Sequence, residues 1–293
     1  MDISTIRQFY AEEVRVVGNL RSDELVKAFA TVAREKFLGP GPWQFATPDL
    51  LTGGVRYRPT PDNNPAHLYH NIPVAIDTTR NLPNGQPSAI GFFIDCLSLK
   101  RGDSVLHIGC GTGYYTAIMA EVLGAAGKIT ALEIEDDIAA QARNNLSDLN
   151  QAEVVSADGT TYNPGPVDVI LVNAGATHPQ TVWLDCLKPG GRLIVPLTLA
   201  ATPNSIGAGM MLKIKREEQG LAAQFFAQVG IYPCLGGRDE EAHNRLRNLI
   251  MQGKWKAVQS VRREAHEIGE SCCLHGDGVC LSADPLISAT SNY

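Results

Sequence analysis

The sequence contains no run of about 18 apolar residues, the length a helix needs to cross a bilayer, so no membrane span is expected. It has no excess of positive charge: 25 Lys and Arg stand against 31 Asp and Glu, for a net charge of −6. A broad nucleic-acid surface has a basic footprint, so no nucleic-acid partner is expected. No Gly-x-x-x-x-Gly-Lys-[Ser/Thr] phosphate loop occurs, which removes the common route to nucleotide hydrolysis. The opening Met1-Asp2-Ile3-Ser4 lacks the basic and then apolar pattern of a signal peptide, and a cytoplasmic location is expected. The seven cysteines are odd in number and scattered through 293 residues. They read as reduced thiols rather than a disulfide framework. Internal repeats and low-complexity tracts are also missing. What remains is an ordinary globular composition, 44% hydrophobic, long enough for one large α/β domain with appendages.

The most informative stretch is Val105-Leu106-His107-Ile108-Gly109-Cys110-Gly111-Thr112-Gly113-Tyr114. A short apolar run ends in three glycines spaced Gly-x-Gly-x-Gly, an amphipathic helix pattern follows, and Glu133 closes the next apolar run. Glycines let a backbone turn sharply and approach a ligand closely, and an acid about 20 residues on can accept from ribose hydroxyls. A dinucleotide fingerprint needs Gly-x-Gly-x-x-Gly, but here Tyr114 holds the last position. The expected ligand is therefore a nucleoside without a pyrophosphate.

Residues 3–38 read as helical, with Ser22 as an N-cap and Gly39-Pro40-Gly41-Pro42 as the stop. Residues 43–88 read as an irregular lobe with a strand at Asn71–Ile76; so long a loop is more often functional than idle. From about 89, strands and helices alternate: Ser104–Ile108, Tyr114–Leu123, Lys128–Ile134, Asp136–Leu146, Glu153–Ser156, Val167–Asn173 and Gln180–Leu187. The turn Lys188-Pro189-Gly190-Gly191 and the strand Arg192–Leu197 follow. Met210–Lys215 and Ala222–Ile231 pair as an antiparallel hairpin. This pattern predicts a doubly wound, mostly parallel Rossmann-like α/β sheet with an antiparallel edge. Three regions are expected: N-terminal helices and lobe over 1–88, the nucleoside-binding core over 89–237, and a C-terminal extension over 238–293. A helix at Asp239–Met251 and short strands near 258–262, 271–274 and 279–281 pack that extension onto the core.

Residues 22–235 resemble the protein-L-isoaspartate (D-aspartate) O-methyltransferases, a family of class I S-adenosylmethionine (SAM) methyltransferases. The resemblance rests on Val32-Ala33-Arg34-Glu35-Lys36-Phe37-Leu38, Gln86-Pro87, the Gly109–Tyr114 turn and Ala157-Asp158-Gly159. Leu187-Lys188-Pro189-Gly190-Gly191-Arg192-Leu193 and the hairpin ending Ile231-Tyr232-Pro233 complete it. It implies SAM as cofactor, held by His107, Gly109, Cys110, Gly111, Gly113, Tyr114, Glu133, Ile134, Asp158, Gly159 and Asn173. Glu133 would take the ribose hydroxyls, and Asp158 would lie near the adenine amino group. The family carries Thr-x-Ser just before its x-Pro pair, with the serine beside the transferred methyl. Here those positions are Pro83 and Gly85. A relative with the same cofactor and a different acceptor is expected.

His178, Asn84, Gln86 and His70 are the candidates for the acceptor side. His178 follows the strand ending at Asn173, where open α/β sheets bind ligands, and could orient the acceptor or take its proton. Asn84, Gln86 and His70 lie in the lobe. The expected reaction is O-methylation of a carboxylate in a protein, a peptide or a small molecule. Two alternatives stay open: a small-molecule or biosynthetic-peptide O- or N-methyltransferase using a histidine base, and a catalytically inactive SAM-binding adaptor. No metal is expected. Cys272, Cys273, His275 and Cys280 do not match paired Cys-x₂₋₄-Cys spacing, adjacent cysteines on a strand face opposite ways, and buried thiols in a small sheet are the reading.

Overall fold

The N-terminal apolar periodicity is divided between two helices rather than carried by one. α1 (Ile3–Gly18) ends at Asn19, whose left-handed backbone (φ 51°) closes the helix. Ser22 caps α2 (Asp23–Thr31), its hydroxyl accepting from the Leu25 N–H at 3.1 Å. Beyond Thr31 only a single 3-10 turn forms, over Arg34–Phe37. The helical reading of residues 3–38 therefore extends too far; the chain leaves the helix at Val32, and the Arg34 side chain turns into the interior.

The computed structural model describes residues 2–48, 55–200, 202, 205–276 and 278–286. The chain forms two compact units, Met1–Ala157 and Asp158–Tyr293. In the first unit, β1 (Gln44–Pro48) and β2 (Val55–Pro59) form an antiparallel pair, as do β3 (Ala75–Asp77) and β4 (Leu82–Pro83). Both pairs lie in the lobe expected to be irregular. The strand expected at Asn71–Ile76 is displaced to β3. α3 (Pro87–Leu97) leads into three parallel strands, β5 (Ser104–Ile108), β6 (Lys128–Glu133) and β7 (Ala152–Ser156), in that order. The crossovers are α4 (Tyr114–Leu123) and α5 (Asp136–Asn145). Parallel neighbours need such crossovers, which cover the apolar strand faces.

In the second unit, β8 (Val167–Val172) and β9 (Leu187–Leu199) are parallel and joined through α6 (Thr181–Cys186). The expected turn at 188–191 lies inside β9. Gly190 takes a left-handed conformation (φ 75°) there, and the β8–β9 register shifts between Val167 and Val169. β10 (Gly207–Glu217) and β11 (Gly220–Ile231) continue the sheet antiparallel, in the hairpin the sequence pattern predicts. α7 (Glu240–Met251) is capped by Asp239 and buries Ala242, Leu246 and Leu249. β12 (Ser260–Arg262) pairs with β11, and β13 (Cys272–Gly276) and β14 (Val279–Ser282) complete the order β8-β9-β10-β11-β12-β14-β13. Among the described residues no helix is long and apolar enough to cross a membrane.

One buried cation organises the lobe of the first unit. Arg34 is fully buried. Its Nη1 donates to the carbonyls of Leu68 (2.7 Å) and His70 (3.0 Å), and its Nη2 to the Ile72 carbonyl (2.8 Å) and Asn84 Oδ1 (3.3 Å). The guanidinium carbon lies 5.8 Å from the ring centroids of both Tyr10 and Tyr114. A planar fork of donors between two rings satisfies a loop that has few partners of its own. Arg34→Ala should therefore lower the unfolding free energy by about 3 kcal/mol or more, because it strands several acceptors. Urea denaturation measures this, and a loss below about 1 kcal/mol would show that the loop does not depend on the guanidinium.

Candidate functional site

β5 ends in a turn that only glycine builds without strain. Gly111 (φ 54°) and Gly113 (φ 96°) both take left-handed conformations. A Cβ on Gly113 would stand 2.8 Å from Leu146 Cδ1, and one on Gly111 would stand 3.2 Å from Ile76 Cδ1. Gly113 thus leaves room for Leu146 at the end of α5, and Gly111 lets Ile76 of the lobe approach the turn. The N–H groups of Gly109 and Cys110 both donate to the Leu132 carbonyl, at 2.9 and 3.0 Å, which ties the turn to the end of β6.

Glu133 completes that tie. Its Oε2 accepts from the Gly111 N–H at 2.9 Å, and its Oε1 accepts from the N–H groups of Ile134 (2.9 Å) and Glu135 (3.2 Å). The side chain is 8% exposed. Burial raises its pKa, and the three backbone donors work against that rise. A carboxylate offers about four acceptor positions, so capacity for a hydroxyl remains. Ile134 follows and is 40% exposed, giving a flat apolar surface beside the acid.

Arg80 joins the lobe to this strand end. It pairs with Asp77 (2.8 Å), Glu135 (2.9 Å) and Asp137 (2.6 Å). Hydrogen bonds from the Thr79 hydroxyl and from Arg80 hold the Asp77 carboxyl well below the usual carboxylate range. Asn84 is buried; its Oδ1 accepts from the Val74 N–H (3.1 Å) and from Arg34, while its Nδ2 has no partner among the described residues. Gln86 and His70 are exposed, and His70 contributes its carbonyl to Arg34.

Three residues of the expected cofactor set lie in the interior. His107 is fully buried, with Nδ1 2.9 Å from Thr116 Oγ1 on α4. Tyr114 packs among Phe29, Phe37 and Tyr115, its hydroxyl 3.2 Å from that of Tyr10. The Cys110 thiol is buried, and its titration is pushed up by that burial. These side chains pack into the interior around the turn.

In the second unit, Asp158 Oδ1 accepts from the N–H (2.8 Å) and hydroxyl (2.7 Å) of Thr160, and the Gly159 carbonyl accepts from Trp183 Nε1 at 2.7 Å. Asn173 is half-buried just past β8. His178 lies 3.1 Å from Thr177 Oγ1, and burial pulls its pKa below the ordinary histidine value. The sequence reading did not single out the segment that braces it. Arg238 Nη1 donates to the carbonyls of Gly175 (3.1 Å) and Thr198 (2.8 Å), and the Thr177 N–H donates to the Gly237 carbonyl at 3.0 Å. A Cβ on Gly236 would collide with the Asp158 carboxylate. Residues 236–238 therefore touch both the Asp158 turn and the His178 loop. An arginine followed by the Asp239 cap is the only sequence signal of this, and it is weak.

Residues 56–231 match the family model "Protein-L-isoaspartate(D-aspartate) O-methyltransferase (PCMT)". The chain is 31% identical over 183 residues to the protein-L-isoaspartate O-methyltransferase of Thermotoga maritima, covering 61% of this chain and 51% of that one. It thus spans about half the length of that relative. A solved protein-L-isoaspartate O-methyltransferase shares the fold, with a TM-score of 0.62 and 24% identity over 88% of this chain and 73% of that one. So does a Plasmodium falciparum structure in complex with S-adenosyl-L-homocysteine, with a TM-score of 0.58 and 18% identity over 78% of this chain and 97% of that one. The Rossmann-like methyltransferase fold with its antiparallel C-terminal strands is the one the sequence pattern predicts.

The buried histidines make stability depend on pH. Burial lowers the pKa of His107 to about 3, whereas an unfolded chain protonates histidine near 6.5. Below about pH 6.5 the unfolded state binds the extra proton, so stability falls as the pH drops from about 6.5 toward 3. His178, also lowered, acts in the same sense. Each pH unit in that window costs about 1.4 kcal/mol for His107. Denaturant titrations at pH 7.5 and pH 5 should show a clear loss that shrinks in His107→Gln. Equal slopes for the two proteins would remove His107 as its source.

Proposed function

We propose that this chain, which belongs to the protein-L-isoaspartate (D-aspartate) O-methyltransferase family of SAM-dependent methyltransferases, binds SAM at the Gly109–Gly113 turn and methylates a carboxylate. The observation that carries the reading is the joint held by Glu133. A buried acid fixes the Gly111 backbone from the end of the neighbouring strand, beside two glycines where a Cβ would crowd Ile76 and Leu146. That arrangement fits a nucleoside lying close to the backbone, with its ribose hydroxyls on the carboxylate and apolar surface against Ile134. For Asp158, Gly159 and Asn173 the cofactor role rests on the family resemblance.

Bound SAM supplies a methyl group made electrophilic by its sulfonium. The protein's task is then to place an acceptor oxygen in line and keep it there, which is catalysis by proximity and orientation. A carboxylate is already ionised near neutral pH, so no side chain need remove a proton. The lobe provides a positioned donor for such an oxygen: the Asn84 amide, whose Oδ1 is fixed by Val74 and Arg34 and whose Nδ2 is left over. One observation favours a second reading. Burial lowers the pKa of His178, which favours the neutral imidazole that can accept a proton from an alcohol or amine acceptor.

The acceptor we propose is a protein, peptide or small-molecule carboxylate other than the isoaspartyl group. Support comes from the loop before α3, where Pro83 and Gly85 replace the family's threonine and serine. Gly85 has a left-handed backbone (φ 79°), and a Cβ there would stand 3.1 Å from Ile90 Cγ1. A serine hydroxyl is thus both missing and hard to restore on this backbone.

Two measurements test these proposals. Glu133→Ala should weaken SAM binding tenfold or more, the loss of a charge-assisted hydrogen bond of about 1.5–3 kcal/mol. Isothermal calorimetry reads it, with circular dichroism to show that the variant is folded; unchanged affinity would take the ribose off Glu133. With labelled SAM, an isoaspartyl peptide should be methylated far more slowly than by a repair enzyme of the family, while a cell lysate should contain a labelled acceptor. Rapid turnover of the isoaspartyl peptide would reject the different acceptor. SAM binding with no transfer to any lysate component would favour the adaptor.

A further inference from the structure

Residues beyond the family match bring together four side chains that the sequence spacing kept apart. His266, Cys272, His275 and Cys280 each present one ligand atom, and these atoms all lie within 4.8 Å of one another. The β13–β14 hairpin explains three of them. His275 and Cys280 are direct partners across the pair. Cys272 and His275 are three residues apart, which strict strand alternation would put on opposite faces. The register shifts between Cys272 and Leu274, and that bulge brings both to the same side. Cys273, the bulged residue, is left out, with its Sγ near the Ser271 carbonyl.

His266 arrives from the loop after β12, beyond the reach of any spacing rule. Its Nδ1 bonds to the Glu264 carbonyl at 2.8 Å, which leaves Nε2 without the proton and 3.5 Å from Cys272 Sγ. Fixing one ring nitrogen on a carbonyl so that the other is free to coordinate is how metal-binding histidines are oriented. The Gly269 N–H donates to Cys272 Sγ at 3.5 Å. The rings of His266 and His275 stand edge to face, with centroids 4.8 Å apart. His275 Nδ1 is buried and has no hydrogen-bond partner among the described residues. Buried polar nitrogens are rarely left so, and a coordination bond would supply the partner.

We propose that these four side chains bind one Zn²⁺ as a closed structural site, two thiolates and two neutral imidazoles around the ion. Tetrahedral S₂N₂ sets suit zinc, and two thiolates balance its charge. Bond lengths of about 2.0–2.3 Å place the ligands of such an ion about 3.3–3.8 Å apart, a small contraction of the cluster. With all four positions taken by protein, no place is left for a reacting water, so the ion is structural. Binding releases the two thiol protons and clasps the 263–271 loop to the β13–β14 hairpin. This replaces the expectation of buried thiols without metal. It does not depend on the methyltransferase reading.

The test uses the full chain, purified under reducing conditions from zinc-supplemented cells. Elemental analysis should find about one zinc per chain. Replacement by Co²⁺ alone should give the visible bands of a tetrahedral thiolate site. Cys272→Ser and His266→Ala should lose most of the metal, and Cys273→Ser should keep it. Metal-free wild type that also yields no tetrahedral Co²⁺ spectrum would overturn the proposal, even if the variants prove insoluble. So would equal loss from Cys273→Ser, or mass spectrometry showing Cys272 and Cys280 joined in a disulfide.

Discussion

The three backbone N–H groups that converge on the Glu133 carboxylate are the constraint on which the candidate cofactor site depends. The bond from Gly111 reaches across two strands and holds a left-handed turn that has no regular pairing of its own. The bonds from Ile134 and Glu135 bend the chain away from β6 so that Ile134 is left exposed. A buried carboxylate costs desolvation, and here the cost is offset by donors that a glycine turn must satisfy anyway. One acid therefore shapes the turn and keeps acceptor capacity to spare. An Ala, Leu or Gln at 133 could not do both, since Gln would present donors to donors.

The lobe above that turn is held differently, by cations rather than by a core. Arg34 gathers Leu68, His70, Ile72 and Asn84, while Arg80 fastens Asp77 to Glu135 and Asp137. The two arginines differ in kind. Arg34 is buried between rings and satisfies carbonyls, so its bonds are strong and costly to lose. Arg80 is about a third exposed, and its ion pairs are screened by solvent. The Asn84 end of the lobe is thus fixed more firmly than the Asp77–Arg80 end.

Legibility in the sequence follows the range of the interactions. Strands and helices from β5 to β11 were readable because each is set by its own periodicity, and α4 falls on the very residues the pattern indicates. The turn glycines and Glu133 were readable for the same reason: a strand end, a turn and a strand end in order. The second N-terminal helix was read too far because apolar spacing continues past Thr31, whereas the chain leaves α2 at Val32. The two lobe hairpins were missed because Pro- and Asp-rich segments hide strand alternation. The burial of the His107 and Tyr114 side chains was not readable, because position in a motif says nothing of which face a side chain takes. The bracing of the His178 loop by Gly237 and Arg238, and the approach of His266 to Cys272, join residues 60 apart or across an irregular loop. No periodicity records such contacts.

The C-terminal extension poses a stability problem of its own. The family match ends at Ile231, the end of β11, a strand of 12 residues that would otherwise be an open edge. Long exposed edges invite pairing with other chains. Here β12 covers part of it, but with only two paired positions, and β14 and β13 add strands of four and five residues. Pairings this short contribute little alone. The extension must be held by other means, and two are on hand. α7 buries Ala242, Leu246 and Leu249, worth on the order of 1.5–3 kcal/mol for each leucine. The Cys and His cluster supplies a second clamp at the far end of the same segment if it carries its ion. Just ahead of α7 lies Arg238, bonded to the carbonyls of Gly175 and Thr198. The residues beyond the family match are therefore tied, through backbone carbonyls, to the loop that carries His178.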